Sequence, residues 1–179
     1  LEDKFGWKVD LTDLNVGALQ MSPPSRGRTL YYNILEKNAA YKDAYDVIFL
    51  YDVLEHIGAT DEFVEALHWH LKPGGLIFIN VPALNFFYSA FDKVLGHYRR
   101  YNKKLLIKHI APFGFEVLDT RYWGITLIPF LAARWIYMLR LPRSKETQSS
   151  LARKGVTPPL KFMQQIFRAL MNLENWVAP

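Results

Sequence analysis

The stretch Tyr45-Asp46-Val47-Ile48-Phe49-Leu50-Tyr51-Asp52-Val53-Leu54-Glu55-His56-Ile57 decides how the rest of the chain is read. Its first half is a continuous apolar run bounded by polar residues, the pattern of a strand buried on both faces of a parallel sheet. Downstream, Phe63, Val64, Leu67 and Leu71 recur at helical spacing. They predict a helix that begins at Asp61 as N-cap and stops at Lys72-Pro73-Gly74-Gly75. Residues 76–81 then form a second buried strand, ended by Pro82.

Outward from this centre the alternation continues. Residues 6–12 read as a strand closing at Asp13, and 15–21 as the start of a helix broken by Ser22-Pro23-Pro24. Residues 29–34 read as a short strand, 102–110 as a helix, and 115–119 as a returning strand. Strands alternating with helices imply right-handed crossovers. The expected class is α/β: a doubly wound, mainly parallel sheet flanked by helices over residues 1–123. From Gly124 the pattern changes to two apolar helical stretches, 125–141 and 160–177, joined by a polar linker over 142–157. This second part, 124–179, reads as a helical appendage or lid.

Composition narrows the chemistry. The 179 residues are half apolar and 22% charged, which excludes a disordered tail or a collagen-like chain. With no cysteine, thiolate nucleophiles, disulfides and Cys-ligated metals are excluded, and a reducing cytoplasm is compatible. The net charge of +5 is uneven: residues 1–123 carry 14 basic and 15 acidic side chains, residues 124–179 carry 8 and 2. The basic residues are not interleaved along the sheet, so nucleic acid is not the expected partner. His68 and His70, two apart on a helix, do not share a face as a metal pair would, and no metal site is expected. Both, with His109, are expected to face solvent.

Ligands of open parallel sheets bind beyond the carboxyl ends of the strands. That rule selects Asp13, Asn33, Tyr51, Asp52, Pro82 and Ala83. A carboxylate such as Asp13 suits the two hydroxyls of a ribose, although an Asp after a strand also serves as a turn former or helix cap.

The run "DVLEHI" at 52–57 and "LKPGG" at 71–75, each beside an apolar strand, closely resemble class I S-adenosylmethionine-dependent methyltransferases. The likeness is to the branch that includes quinone-biosynthesis and glycan-associated small-molecule enzymes. Leu11-Thr12-Asp13-Leu14-Asn15 and Gly96-His97-Tyr98-Arg99-Arg100-Tyr101 extend it, over about residues 5–124. The resemblance implies a Rossmann-like fold, S-adenosyl-L-methionine as cofactor and a small-molecule, lipid- or sugar-linked acceptor. It implies that Asp13 holds the ribose hydroxyls with Leu14 nearby, and that Asn33 and Ile34 flank the adenine. Tyr51 and Asp52 would meet the methionine moiety, with Leu54 and His56 above the reacting methyl.

The family's glycine-rich loop after the first strand has no counterpart, because no two glycines here have G-x-G spacing. The chain reads as starting one β-α unit late, and the strand that commonly closes the family fold is not reached. It is either a fragment or a degenerate member acting as a non-catalytic binding or scaffold protein on the same fold.

For an oxygen acceptor, His56 and His97 are the candidate catalytic bases, since an unperturbed histidine titrates near neutrality; packing or capping is the competing role. Tyr98, Arg99, Arg100 and Tyr101 are candidate substrate contacts, because guanidinium forks grip phosphate or carboxylate groups; they could equally pin the loop to nearby acidic residues. No Asn/Asp-Pro-Pro-Tyr motif follows the 45–51 strand, which favours oxygen or carbon over nitrogen as acceptor. In the appendage, the apolar 125–139 stretch is short of the ~20 residues that span a bilayer. With Trp123, Trp135 and Tyr137, and Arg140, Arg143 and Lys145 after it, it suits peripheral contact with an anionic membrane. A packed lid is the simpler expectation. The Leu160, Met163, Phe167, Leu170 stripe buries one face against the lid, a lipid or a second subunit in a homodimer.

Overall fold

The computed structural model describes residues 2–140 and 161–177. The chain divides into two compact units, Leu1–Ile48 with Glu62–Leu76, and Phe49–Asp61 with Ile77–Pro179.

In the first unit, α1 (Glu2–Phe5) precedes β1 (Leu11–Asp13), α2 (Val16–Met21) and β2 (Thr29–Tyr31). β1 and β2 pair in parallel, with Leu11 opposite Thr29 and Asp13 opposite Tyr31. The helix between them starts where the Asn15 side chain accepts the Ala18 N–H at 3.2 Å. It stops at Ser22, ahead of the two prolines. Both strands are shorter than the sequence predicts. Before Leu11 the backbone is claimed by side chains: Val9 donates its N–H to Glu2 Oε1 at 3.1 Å, and its carbonyl accepts from the Ser25 hydroxyl. After Tyr31, Asn33 caps a 3-10 turn over Ile34–Glu36 and turns the chain away. A Cβ on Gly27 would lie 2.1 Å from the Val9 carbonyl oxygen, so this approach requires glycine.

β3 (Tyr45–Tyr51) and β4 (Leu71–Asn80) form a second two-stranded sheet, with α3 (Thr60–His70) between them in sequence. Ala44 donates to the His70 carbonyl and Asp52 to the Asn80 carbonyl, both at 3.0 Å, so the strands advance together as parallel neighbours. Two expectations change here. The Lys72-Pro73-Gly74-Gly75 segment belongs to β4 rather than ending the helix, which starts at Thr60 rather than after an Asp61 cap. And β4 is not buried on both faces: Leu76 and Phe78 are exposed on one face, where Phe78 stacks on Phe49 at 5.2 Å.

Among the described residues there are thus two parallel pairs, and one doubly wound sheet is not seen. Residues 115–119 form no strand either. Gly114 turns the chain at φ 84° and Leu118 is exposed.

The second unit adds α4 (Ala90–Val94), α5 (Lys103–Ile110), α6 (Ile128–Leu139) and α7 (Lys161–Val177). Asn102 caps α5 by accepting the Leu105 N–H at 2.8 Å. Glu174 of α7 accepts from the Ile125 and Thr126 N–H groups and the Thr126 hydroxyl, at 3.0–3.3 Å, at the turn that opens α6. Phe130 and Phe167 meet edge to face, and Trp135 of α6 lies against Phe86 at 5.0 Å. Of the predicted stripe, Phe167 and Leu170 are half-buried. Leu160 and the side chain of Met163 lie outside the described residues, as do Arg143, Lys145 and the 142–157 linker. No helix among the described residues is long and apolar enough to cross a membrane.

Candidate functional site

The apolar strand β3 delivers Tyr51 and Asp52 to its carboxyl end, where both are exposed. Asp52 adopts φ 54°, a left-handed conformation that Asp tolerates better than most residues. Asn80 holds it there from β4: its carbonyl accepts the Asp52 N–H, and its side-chain amide donates to Asp52 Oδ1 at 3.2 Å. The amide is itself fixed by the Trp123 indole N–H, donated to Asn80 Oδ1 at 2.6 Å.

One turn later, a 3-10 turn over Leu54–His56 buries Leu54 and Glu55 and leaves His56 exposed. Burying Leu54 requires a cover, and the 82–101 loop supplies it. Tyr101 is 2% exposed and donates its hydroxyl to the Leu54 carbonyl at 3.3 Å, while the Tyr98 N–H bonds the Glu55 carbonyl at 2.8 Å. The Tyr98 ring lies against Gly58, where a Cβ would come within 3.2 Å of it. Arg99 donates to the Thr60 hydroxyl and the Gly58 carbonyl.

Asp92 organises the loop from within. It is fully buried and accepts from the Ser89 N–H at 2.9 Å, from the Ser89 hydroxyl at 3.1 Å and from Arg100 Nε at 2.7 Å. Burial pushes its carboxyl up, but the Arg100 guanidinium and the Ser89 donors outweigh that and hold it below the usual carboxylate range. Its Oδ1 also lies 3.3 Å from His97 Nδ1. Burial pushes the His97 imidazole down, with Asp92 acting against that shift.

His97 in turn stands over His56, ring centroids 4.6 Å apart and nearly perpendicular. Gly96 leaves room for this: even a Cβ there would stay 3.6 Å from His56 Nδ1. One donor atom from each of Glu55, His56 and His97 lies within 4.8 Å of the other two. Neither carboxylate oxygen of Glu55 has a hydrogen-bond partner, and burial pushes its carboxyl up.

The structure therefore gathers the two predicted histidines. Of the other predicted residues, Leu54 is fully buried. Tyr101 is likewise in the core, and Arg100 is committed to Asp92 and the Ala83 carbonyl. Tyr98 stays exposed. No metal site was expected from the sequence; the structure brings Glu55, His56 and His97 together, a spacing no linear motif marks. His68 is exposed as expected, whereas His70 is buried, between the Tyr32 hydroxyl and the Ala66 carbonyl. His109 is half-buried beside Tyr101. Asp92 and Asn80 were not anticipated; Ser89 three residues before Asp92 is a capping-box spacing that marks the helix start in sequence.

In the first unit, Asp13 is exposed at the end of β1, with Oδ1 accepting the Asn15 N–H at 2.8 Å. Leu14 beside it is exposed. Asn33 accepts the Leu35 N–H, and Ile34 opens the turn that follows. The carboxyl ends of β1 and β3 thus carry the polar residues that the strand-end rule selects.

A family model described as Methyltransferase domain matches residues 2–122. The chain belongs to this methyltransferase-domain family. No match was found among the curated proteins or among the solved structures. The family supports methyl transfer on a class I, Rossmann-like scaffold, and every residue described above from Asp13 to Tyr101 lies within the methyltransferase domain.

Proposed function

We propose that the protein transfers a methyl group from S-adenosyl-L-methionine to an oxygen of a small-molecule acceptor, lipid- or sugar-linked, as in the quinone-biosynthesis and glycan-associated branch. The observation that carries this reading is the carboxyl end of β3. Tyr51 and Asp52 are exposed there, and Asp52 is held at positive φ by Asn80 and Trp123, a strained and over-determined conformation of the kind found at ligand clamps. In this reading Tyr51 and Asp52 take the methionine moiety, Asp13 the ribose hydroxyls, and Asn33 and Ile34 the adenine.

Methyl transfer from a sulfonium is an in-line displacement in which alignment accounts for much of the rate, so few side chains need take part chemically. The oxygen must lose its proton, and His56 and His97 are the imidazoles beside the strand end. Exposed Tyr98 is the remaining aromatic contact for the acceptor. Phe130, Ile136 and Tyr137 stay exposed on α6 next to Arg140, which supports peripheral contact with a membrane carrying the acceptor.

Calorimetric titration of S-adenosylhomocysteine into the 179-residue protein tests the reading. The expected result is binding that weakens at least about tenfold in Asp13→Ala, the loss of hydrogen bonds to a charged group. A folded protein that does not bind, or one indifferent to Asp13→Ala, overturns the assignment.

A further inference from the structure

Glu55 poses a physical problem that methyl transfer does not address. A carboxylate with no exposure and no hydrogen-bond donor at either oxygen is among the costliest groups a protein can bury. It is stable only as the neutral acid or beside a positive charge. No basic side chain among the described residues forms a salt bridge with it; Arg100 is committed to Asp92 and Arg99 to Thr60 and Gly58. What does stand close is a pair of imidazoles.

We propose that Glu55, His56 and His97 bind a divalent transition-metal ion of the zinc class. One oxygen and two ring nitrogens lie within 4.8 Å of one another. Around an ion with ligands at about 2.0–2.2 Å, tetrahedral donors stand roughly 3.4 Å apart, so the site closes by a small contraction. His56 is exposed and has free space beside Gly96, which lets its side chain make that adjustment. Two imidazoles and one carboxylate suit zinc and its first-row neighbours better than magnesium or calcium, which prefer oxygen.

His97 carries the supporting arrangement that metal-bound histidines use. Its Nδ1 faces the buried Asp92 carboxylate, which fixes the ring and leaves Nε2 to bind the ion. Asp92 is in turn pinned by Arg100 and Ser89. The Tyr98 N–H bonded to the Glu55 carbonyl ties the loop carrying His97 to the turn carrying Glu55 and His56. Three protein ligands leave a coordination position open. If the proposed methyl transfer holds, the acceptor oxygen would take that position, where its proton would leave to solvent water more readily; the two imidazoles would then be ligands in place of bases.

The test is binding of zinc to the full 179-residue protein stripped of metal, read by competition with a chromophoric chelator, and of cobalt(II), read by its visible spectrum. A single equivalent is expected, with the intense visible bands of a low-coordinate cobalt site. Glu55→Gln and His97→Gln should each weaken binding by more than the roughly 10- to 100-fold that loss of an outer-shell partner costs. His56→Ala, at an exposed position, should do the same without disturbing the fold, and the exposed His68→Ala should bind as the parent does. Absence of binding to the folded parent, or equal binding by His56→Ala and Glu55→Gln, overturns the proposal. S-adenosylhomocysteine titrated into the same samples separates the two readings: cofactor binding without metal binding removes only the metal site, and metal binding without cofactor binding removes only the methyltransferase assignment.

Discussion

The two units hold their polar residues in opposite ways. In the first, Asp13 and Asp3 are exposed and bond to the Asn15 backbone and to exposed Arg26, and the largely covered Asp10 pairs with a half-exposed arginine, Arg28. In the second, Glu55 and Asp92 are fully buried: Asp92 takes its partners from Ser89, His97 and Arg100 on its own loop, and that loop folds over the turn that carries Glu55. Tyr101 reaches the Leu54 carbonyl across 47 residues, and Arg99 reaches Thr60 across 39. A surface carboxylate is already solvated, so its partner adds little; a buried one depends on its partners altogether. The second unit thus ties its buried charges into one network, whereas in the first Asp13 and Asp3 are exposed and can change without unfolding it.

The largest effect that would break this comparison is expected at Asp92. Asp92→Ala strands the buried Arg100 and frees His97, and should cost about 3–5 kcal/mol in urea unfolding. Asp10→Ala, in the first unit, should cost less, about 1–3 kcal/mol: half-exposed Arg28 can turn to water, while its backbone N–H and the Tyr45 hydroxyl lose their acceptor. Equal losses would erase the distinction between the units.

Next comes packing. Gly27→Ala forces a methyl onto the Val9 carbonyl and should cost about 1–3 kcal/mol. Gly58→Ala meets only the ring of exposed Tyr98, which can swing aside, and should cost less than the Gly27 change in the same assay. The reverse order would show that the tight backbone approach lies in the second unit.

The smallest effect is a pH dependence. Arg28 lowers the Asp10 pKa below the ordinary carboxylate value, so its contribution is complete above pH ~4 and is lost as pH falls through the folded-state value. The stability difference between parent and Asp10→Asn should therefore be constant near neutrality and shrink in acid. A difference that persists at low pH would mean that the guanidinium contact is not what stabilises Asp10. Tyr45, pushed up to about 12 by burial and the adjacent Asp10, stays protonated and donates to Asp10 across this range.

Much of the scaffold was legible in sequence because it rests on neighbours a few residues apart. Asn15 and Asn102 cap the helices they precede, Pro23 and Pro24 follow the stop at Ser22, and the apolar run of β3 is a strand. Strand length was less legible, since the ends of β1 and β2 depend on whether Glu2, Ser25 and Asn33 take the backbone groups first. Histidine burial escaped prediction for a similar reason. His70 lies in a helix whose sequence does not reveal that Tyr32 waits at 2.9 Å.

By itself the sequence determined the alternation of strands and helices, the strand-end residues Asp13, Tyr51 and Asp52, and the motifs that place the chain among methyltransferases. The alternation and the strand ends follow from periodicity and capping, which are local properties of a chain, and the motifs from their resemblance to that family. Only the tertiary structure decided that Leu54 and Tyr101 are core, that Arg100 serves Asp92, and that Glu55, His56 and His97 converge. Burial and charge pairing depend on which segments are brought together, and His56 and His97 come within reach of each other only when a loop folds back over a turn.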